Sequence, residues 1–416
     1  MVTRRVFLRN SALAMVGVGA APRWLARTVY AGYSASRPKK ILVAIFQRGA
    51  ADGLNVVVPF GEKRYYELRP TIAVPNPGRP AEDSAIDLDG FFGLHPALAP
   101  LKPIYDAKSM AIIHAAGSPD PTRSHFDAQD YMESGTPGLK ATRGGWMNRA
   151  LPPGRGPASP VRALALGPSL PRTLRGSNAA VAVNDLPGFQ VRDAGASEAF
   201  EAMYTKSADS VLQTTGKETF EAIRLLNSIQ KQRYEPAGGA KYPTGRLGQS
   251  LLQIARLIKA DVGLEVAFAD IGGWDHHVNE VGQRVSQGQL PNLLREFGQS
   301  VAAFWQDMGD RMADVAVVTM SEFGRTAHEN GNRGTDHGHA NAMFVLGGGV
   351  LGGKVYGQWP GLEREQLYEG RDLALTTDFR DVLGELVVNH LGNRNLQAVF
   401  PNYSNDPKKF PGVLAA

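Results

Sequence analysis

Between Val315 and Gly353 the chain reads VAVVTMSEFGRTAHENGNRGTDHGHANAMFVLGGGVLGG, and this stretch limits the fold more than any other. Val315–Met320 is a short, unbroken apolar run, the pattern of a strand buried on both faces. A polar loop with Glu322, Asp336, His337 and His339 follows, and a second apolar run, Ala342–Leu346, leads back. Strands covered on both faces belong to mostly parallel sheets, whose ligands gather outside the carboxyl ends of the strands. Acids and imidazoles crowded at such an end point to a metal-bearing crevice.

The pattern recurs. Ile41–Phe46 ends in a turn carrying Arg48 and Asp52, Met110–Ala115 precedes Ser124 and His125, and Leu264–Ala269 leads into Asp270, Asp275, His276 and His277. Val161–Leu166 is a further strand candidate. Apolar residues at three- and four-residue spacing predict helices in Leu94–Ala107, Thr219–Leu226, Leu247–Ile258, Leu290–Met312 and Thr377–Leu391. Ser124 with Asp127 suits a helix N-terminus. Strands alternating with helices predict a three-layer α/β/α fold with a mostly parallel central sheet. Residues 32–416 read as one α/β domain, with about 170–240 as a helical insertion or cap.

Residues 1–31 have the form of a twin-arginine leader. Arg4-Arg5-Val6-Phe7-Leu8 is followed by a mildly apolar segment, Ser11–Ala20, and Val29-Tyr30-Ala31 offers small residues for cleavage. The apolar part is far short of the roughly 18–20 residues that span a bilayer, so no stable membrane anchor is expected after cleavage. A periplasmic or exported protein is expected, with the twin-arginine translocase as its partner during export. The five arginines of this segment account for the whole formal charge of +5, and the remainder is balanced, which argues against nucleic acid as a partner. The chain has no cysteine, which removes disulfides, thiolate metal sites and cysteine nucleophiles.

Five of the nine histidines, at 125, 276, 277, 337 and 339, fall in the clusters after strands. Scattered core histidines would not bunch in this way. Oxygen and nitrogen donors without sulfur suit divalent Zn, Mn, Mg or Fe and do not distinguish among them. A two-metal site would activate a nucleophile and clamp an oxyanion, typically on a phosphate or sulfate ester. Arg48, Arg123 and Arg325 stand beside strand ends, where a guanidinium can bind an anion bidentately or simply be surface charge. Asp52 before Gly53 also reads as a turn residue, and Ser124 also as a helix cap. His276 reads as a supporting or exposed group, and His95, His114, His328 and His390 as structural.

Arg48-Gly49-Ala50-Ala51-Asp52-Gly53-Leu54-Asn55, Ser124-His125-Phe126-Asp127-Ala128-Gln129, Gly272-Gly273-Trp274-Asp275-His276-His277, Ser321-Glu322-Phe323-Gly324-Arg325 and Gly334-Thr335-Asp336-His337-Gly338-His339 resemble the DUF1501 family. The resemblance implies twin-arginine export and an alkaline phosphatase-like fold near the sulfatases. It implies metal ligation by Asp52, by Asp270 or Asp275 with His277 at one metal, and by Glu322 with one or more of Asp336, His337 and His339 at a second. Ser124 would occupy the nucleophile region, with Thr122 or a water as the alternatives, and His125, Arg123 and Arg325 would assist. The chain departs from that layout at Trp274 and Phe323, where histidines are expected. Pro119 stands where a sulfatase carries its formylglycine precursor, which excludes a formylglycine sulfatase. The expected activity is metal-dependent hydrolysis of a small anionic ester or glycan-linked phosphate or sulfate ester. The alternative is a non-catalytic relative that binds or assembles exported partners.

Overall fold

The computed structural model describes residues 40–415, apart from 79–80, 153–157, 185–200, 202–203 and 205–209. The leader read in residues 1–31 lies outside the described residues, as does part of the 170–240 segment. β1 (Ile41–Arg48) opens the main sheet. β2 (Val57–Val58), β3 (Ile86–Asp87) and β4 (Gly93–Leu94) form a small antiparallel sheet beside it. The main sheet continues with β5 (Met110–Gly117), β6 (Ala163–Leu166), β7 (Val181–Val183), β8 (Val266–Gly272), β9 (Val315–Met320), β10 (Asn341–Gly347), β11 (Lys354–Tyr356) and β12 (Thr377–Asp378). Its order is β11–β5–β10–β9–β1–β8–β6–β7, with β12 paired to β5.

All these strands run one way except β10, which is antiparallel to both β5 and β9. The exception follows from the sequence. The polar loop after β9 turns back at the carboxyl edge instead of crossing over through a helix, so β10 must descend beside β9. That edge therefore receives the ends of β1, β5, β8 and β9 and the start of β10.

Successive side chains of β1 enter opposite layers. Val43 and Ile45 pack with Leu247, Leu251 and Ile254 of one helix and Leu294, Phe297 and Val301 of another. Leu42, Ala44 and Phe46 pack with Met132, Trp146, Val382 and Leu386 on the other side. Each such fully buried aliphatic or aromatic side chain stabilises the fold by about 1.5–3 kcal/mol. The principal helices are α1 (His125–Ser134), α2 (Ser210–Gln230), α3 (Arg246–Lys259), α4 (Gln289–Met308) and α5 (Phe379–Glu385). Among the described residues no helix is long and apolar enough to cross a membrane.

Local chemistry explains where elements depart from the periodic reading. Leu94–Ala107 is a 3₁₀ segment, Pro96–Leu101, followed by a short α-turn, Lys102–Asp106, because Pro96, Pro100 and Pro103 lack the amide donors of a regular helix. α4 stops at Met308, where Gly309 turns to a φ of 49°, and 3₁₀ geometry continues to Asp314. The closing helix begins at Phe379, capped by the Asp378 carboxylate, after Thr377–Asp378 has paired with β5. The described part of 170–240 is built into the layers. Val181–Val183 is an outer strand of the main sheet, and Ala222, Leu225 and Ile229 of α2 join the core.

Candidate metal centre

His125 reaches the carboxyl edge from the first position of α1. Ser124, the N-cap, is extended (φ −86°, ψ 119°), and its side chain makes no capping bond. His125, Gln129 and Glu133 follow at four-residue intervals and share one face of α1. Asp275 and His277 come from the loop after β8. Trp274 anchors that loop, being fully buried with its indole N–H on the Ile271 carbonyl at 3.0 Å. Gly49, at φ 117°, passes so close that a Cβ there would lie 2.8 Å from the Asp275 nitrogen and 2.9 Å from that of Trp274. His337 comes from the loop between β9 and β10, whose two arms pair at Arg325 and His337.

These loops bring four donors together. The Nε2 atom of His337 lies 3.0 Å from Nε2 of His125 and 3.0 Å from Nε2 of His277. Oδ1 of Asp275 is 2.9 Å from Nε2 of His277 and 3.3 Å from that of His337, and Oδ2 is 3.4 Å from that of His125. One donor atom each from His125, Asp275 and His337 fits within 4.8 Å. A cation with bonds of ~2.0–2.2 Å to such donors in a tetrahedron keeps them about 3.3 Å apart, so the spacing of the His125, Asp275 and His337 atoms fits one ion, with His277 beside Asp275 and His337.

Each ring is fixed from behind. Nδ1 of His125 meets Glu322 Oε1 at 2.8 Å, Nδ1 of His277 meets Asp336 Oδ1 at 2.9 Å, and Nδ1 of His337 meets the Arg123 carbonyl at 2.8 Å. With its Nδ1–H donated, a neutral imidazole presents a bare lone pair at Nε2. Three lone pairs and a carboxylate then face one another, an arrangement that a cation relieves.

The charges behind the donors are ordered in the same sense. Burial alone would push Asp275 up, but the hydrogen bond and charge of Arg325 outweigh it and hold the carboxyl below the usual range. Burial likewise opposes the ionised form of Glu322. Donors from His125, Gln129 and the Gly49 amide prevail, and its carboxyl too is held low. The Glu322 hydrogen bond in turn raises His125, whereas burial lowers His337.

The family described as "Protein of unknown function (DUF1501)" matches residues 108–392, more than half of the chain. The chain belongs to the DUF1501 family. No curated protein matches it. Among solved structures, the PsFucS1 sulfatase from Pseudoalteromonas sp. aligns at 11% identity and a TM-score of 0.36, covering 90% of this chain and 73% of that one. The PH0037 protein from Pyrococcus horikoshii aligns at 11% identity and a TM-score of 0.30, covering 76% and 87%. The DUF1501 match contains all four converging donors, whereas Asp52 lies before it.

Several residues expected at the metal lie elsewhere in this DUF1501 chain. Asp52 is buried and bound by both terminal nitrogens of Arg69, one at 2.9 Å, so its carboxylate is occupied away from the imidazoles. Asp270 pairs with Arg48 at 2.8 Å and Arg246 at 2.6 Å and lines a separate cavity of about 310 Å³. Glu322 and Asp336 stand one ring behind the donor atoms, each holding an imidazole. His339 is buried, and its ring stacks on Tyr368 at 4.3 Å.

The expected helpers are also redistributed. His125, expected to assist catalysis, supplies one of the converging donors. Arg123 contributes its carbonyl, and its guanidinium turns to Asp372 and Glu369. Arg325 is buried against four carbonyls and Asp275, so it positions a donor and has no room for a substrate anion. Ser124 is exposed beside His125. Its hydroxyl makes no hydrogen bond among the described residues, whereas the Thr122 hydroxyl accepts from the Ser124 amide at 3.2 Å. His276 is buried, not exposed, and burial lowers it to about 4.

Sequence reading misses Arg69, Glu280 and Gln129. Only Gln129 carries a signal, its four-residue spacing from His125. It donates to Glu322 at 2.8 Å and accepts from Arg48 at 2.9 Å.

Proposed function

We propose that this protein is a metal-dependent hydrolase of phosphate or sulfate esters, working with one divalent cation held by His125, His277, His337 and Asp275. The observation that carries the reading is the meeting of three Nε2 lone pairs, each with its Nδ1 already bonded, around one carboxylate. Three imidazoles and one oxygen donor favour Zn, Fe or Mn over Mg, which prefers oxygen ligands throughout. When bound, such an ion acts as a Lewis acid and brings the pKa of a coordinated water down to about 7.

The chain's own groups supply the rest. Glu322, Asp336 and the Arg123 carbonyl keep the three rings oriented, and Arg325 keeps Asp275 ionised and in place. The side chains of Asp275 and His277 are 44% and 40% exposed, which supports access by substrate from solvent. Ser124, exposed and with a hydroxyl free of hydrogen bonds among the described residues, is the side chain best placed to serve as a nucleophile. A water is the other candidate. In either case the attacking hydroxyl loses its proton as its oxygen bonds to phosphorus or sulfur, the bond to the ester oxygen breaks, and that oxygen leaves protonated as the alcohol; an ester formed on Ser124 is then hydrolysed by water.

Export by the twin-arginine route belongs to the same proposal, and a glycan-linked ester is a substrate that an exported hydrolase would meet. The deciding experiment is elemental analysis of protein purified after export, followed by a panel of phosphate and sulfate esters. Folded protein that takes up no divalent metal rejects the reading. Stoichiometric metal without turnover across the panel would favour the non-catalytic binding protein.

A further inference from the structure

The three arginines that the sequence places near the strand ends are all occupied in the fold. Arg48 is held by Asp270, Gln129 and Glu133, Arg123 by Asp372 and Glu369, and Arg325 by Asp275 and backbone carbonyls. A fourth, Arg371, differs. Its carbonyl accepts from the Ala327 amide at 3.1 Å, and the neighbouring Asp372 pairs with Thr326, so its backbone runs beside the arm that carries Arg325. Its side chain returns to the loop that carries His337, where Nη2 donates to the backbone carbonyl of His337. Nε lies 3.1 Å from Asp372, whose other oxygen serves Arg123. The remaining terminal nitrogen, Nη1, makes no hydrogen bond among the described residues, and the side chain is 41% exposed.

We infer that Arg371 recognises an anionic oxygen of the substrate at the rim of the metal centre, and so selects phosphate and sulfate esters over neutral ones. The inference rests on the metal-centre reading above. A guanidinium offers planar, paired donors that match the oxygens of a phosphate or sulfate. This one is tethered to the backbone of the residue whose ring supplies a donor, so its distance from the ion is set by the loop and not by a mobile side chain. The sequence motifs do not reveal it, because Arg371 lies 34 residues after His337.

The test uses the full chain loaded with zinc and titrated calorimetrically with inorganic phosphate. Arg371→Gln removes the charge and is expected to weaken phosphate binding about tenfold or more, with Arg371→Lys between it and the parent. Zinc content should equal the parent's in both variants, and turnover of p-nitrophenyl acetate, a neutral ester, should change less than about twofold while that of p-nitrophenyl phosphate falls. Phosphate binding unchanged in Arg371→Gln overturns the inference and leaves the metal centre standing. Loss of zinc in Arg371→Gln also overturns it, because the residue then acts only on the fold of the loop. A parent that takes up no zinc overturns the metal-centre reading and this inference with it.

Discussion

Nε2 of His125 lies 3.0 Å from Nε2 of His337, and the opposite nitrogen of each ring is bonded to an oxygen acceptor. The acceptor on His337 is a backbone carbonyl, which cannot donate, so that Nδ1 carries the hydrogen. The acceptor on His125 is Glu322, held ionised by its other donors. Two bare lone pairs therefore face each other when both rings are neutral, unless a metal cation, or a proton on His125, joins them. Zinc should raise the melting temperature of the parent, and a chelator should reverse the gain; binding at one hundred times Kd is worth about 2.7 kcal/mol. His277→Ala, which removes a donor from a side chain 40% exposed, should lose both the bound metal and the thermal shift while keeping the far-UV spectrum. A parent whose melting is indifferent to zinc and chelator would contradict this.

Glu322 and Asp336 act through the rings they hold, and substitution should separate that role from direct ligation. Asp336→Asn keeps an acceptor for His277 Nδ1 but removes the charge, and Asp336→Ala removes both. Losses of support behind a ligating histidine cost about 10- to 100-fold in metal affinity. Asp336→Ala should therefore bind zinc in the parent's stoichiometry at weaker affinity, with Asp336→Asn closer to the parent. Competition against a chromogenic chelator measures this, and a loss of stoichiometry would make Asp336 a ligand.

The layers of the fold are written in the sequence because the central strands are apolar on both faces. Ile41–Phe46, Met110–Ala115 and Val315–Met320 leave no alternative to a covered sheet, and their polar sequels mark its working edge. The division of the acids into ligands and supports is not written there. Asp275 and Glu322 both follow a strand, yet the Gly49 amide and Gln129 draw Glu322 behind His125, while a hydrogen bond from Arg325 holds Asp275 beside the imidazoles. Those partners come from other strands and helices, so no local pattern contains the choice. Asp52 misleads for the same reason: Arg69, which occupies it, lies outside any motif.

Asp52 and Glu280 are both buried, and one guanidinium, Arg69, faces Asp52. Asp52→Ala should cost about 3–5 kcal/mol, because it strands the Arg69 charge in the interior. The folded fraction should still bind one metal, unlike a ligand variant. Glu280 behaves in the opposite way. Burial and then the Asp52 charge push its carboxyl well above the ordinary value of 4.5. The folded chain thus keeps a proton that the unfolded chain releases, so this group subtracts stability as pH rises from 4.5 toward its folded value. Glu280→Gln should gain stability relative to the parent by ~1.4 kcal/mol per pH unit across that window. Urea unfolding of both proteins at several pH values measures the difference, and a difference flat with pH would refute it.

Gly49 gives a sharper probe of the metal centre than any ligand, because its side chain would touch none of the donor atoms. Its φ of 117° disfavours every L side chain, and a Cβ would press on the backbone nitrogens of Trp274 and Asp275. Trp274 is fully buried and cannot retreat into the core, so the turn must move outward and carry Asp275 with it. The Gly49 amide also donates to Glu322 at 2.8 Å, so the same shift loosens the support of His125. Gly49→Ala should therefore weaken zinc binding by more than Asp336→Ala does, since one displacement disturbs both a ligand and the group behind another. Strain of about 1–3 kcal/mol should accompany it and leave a cooperative unfolding transition. If Gly49→Ala binds zinc as the parent does, the turn after β1 does not hold Asp275 in place.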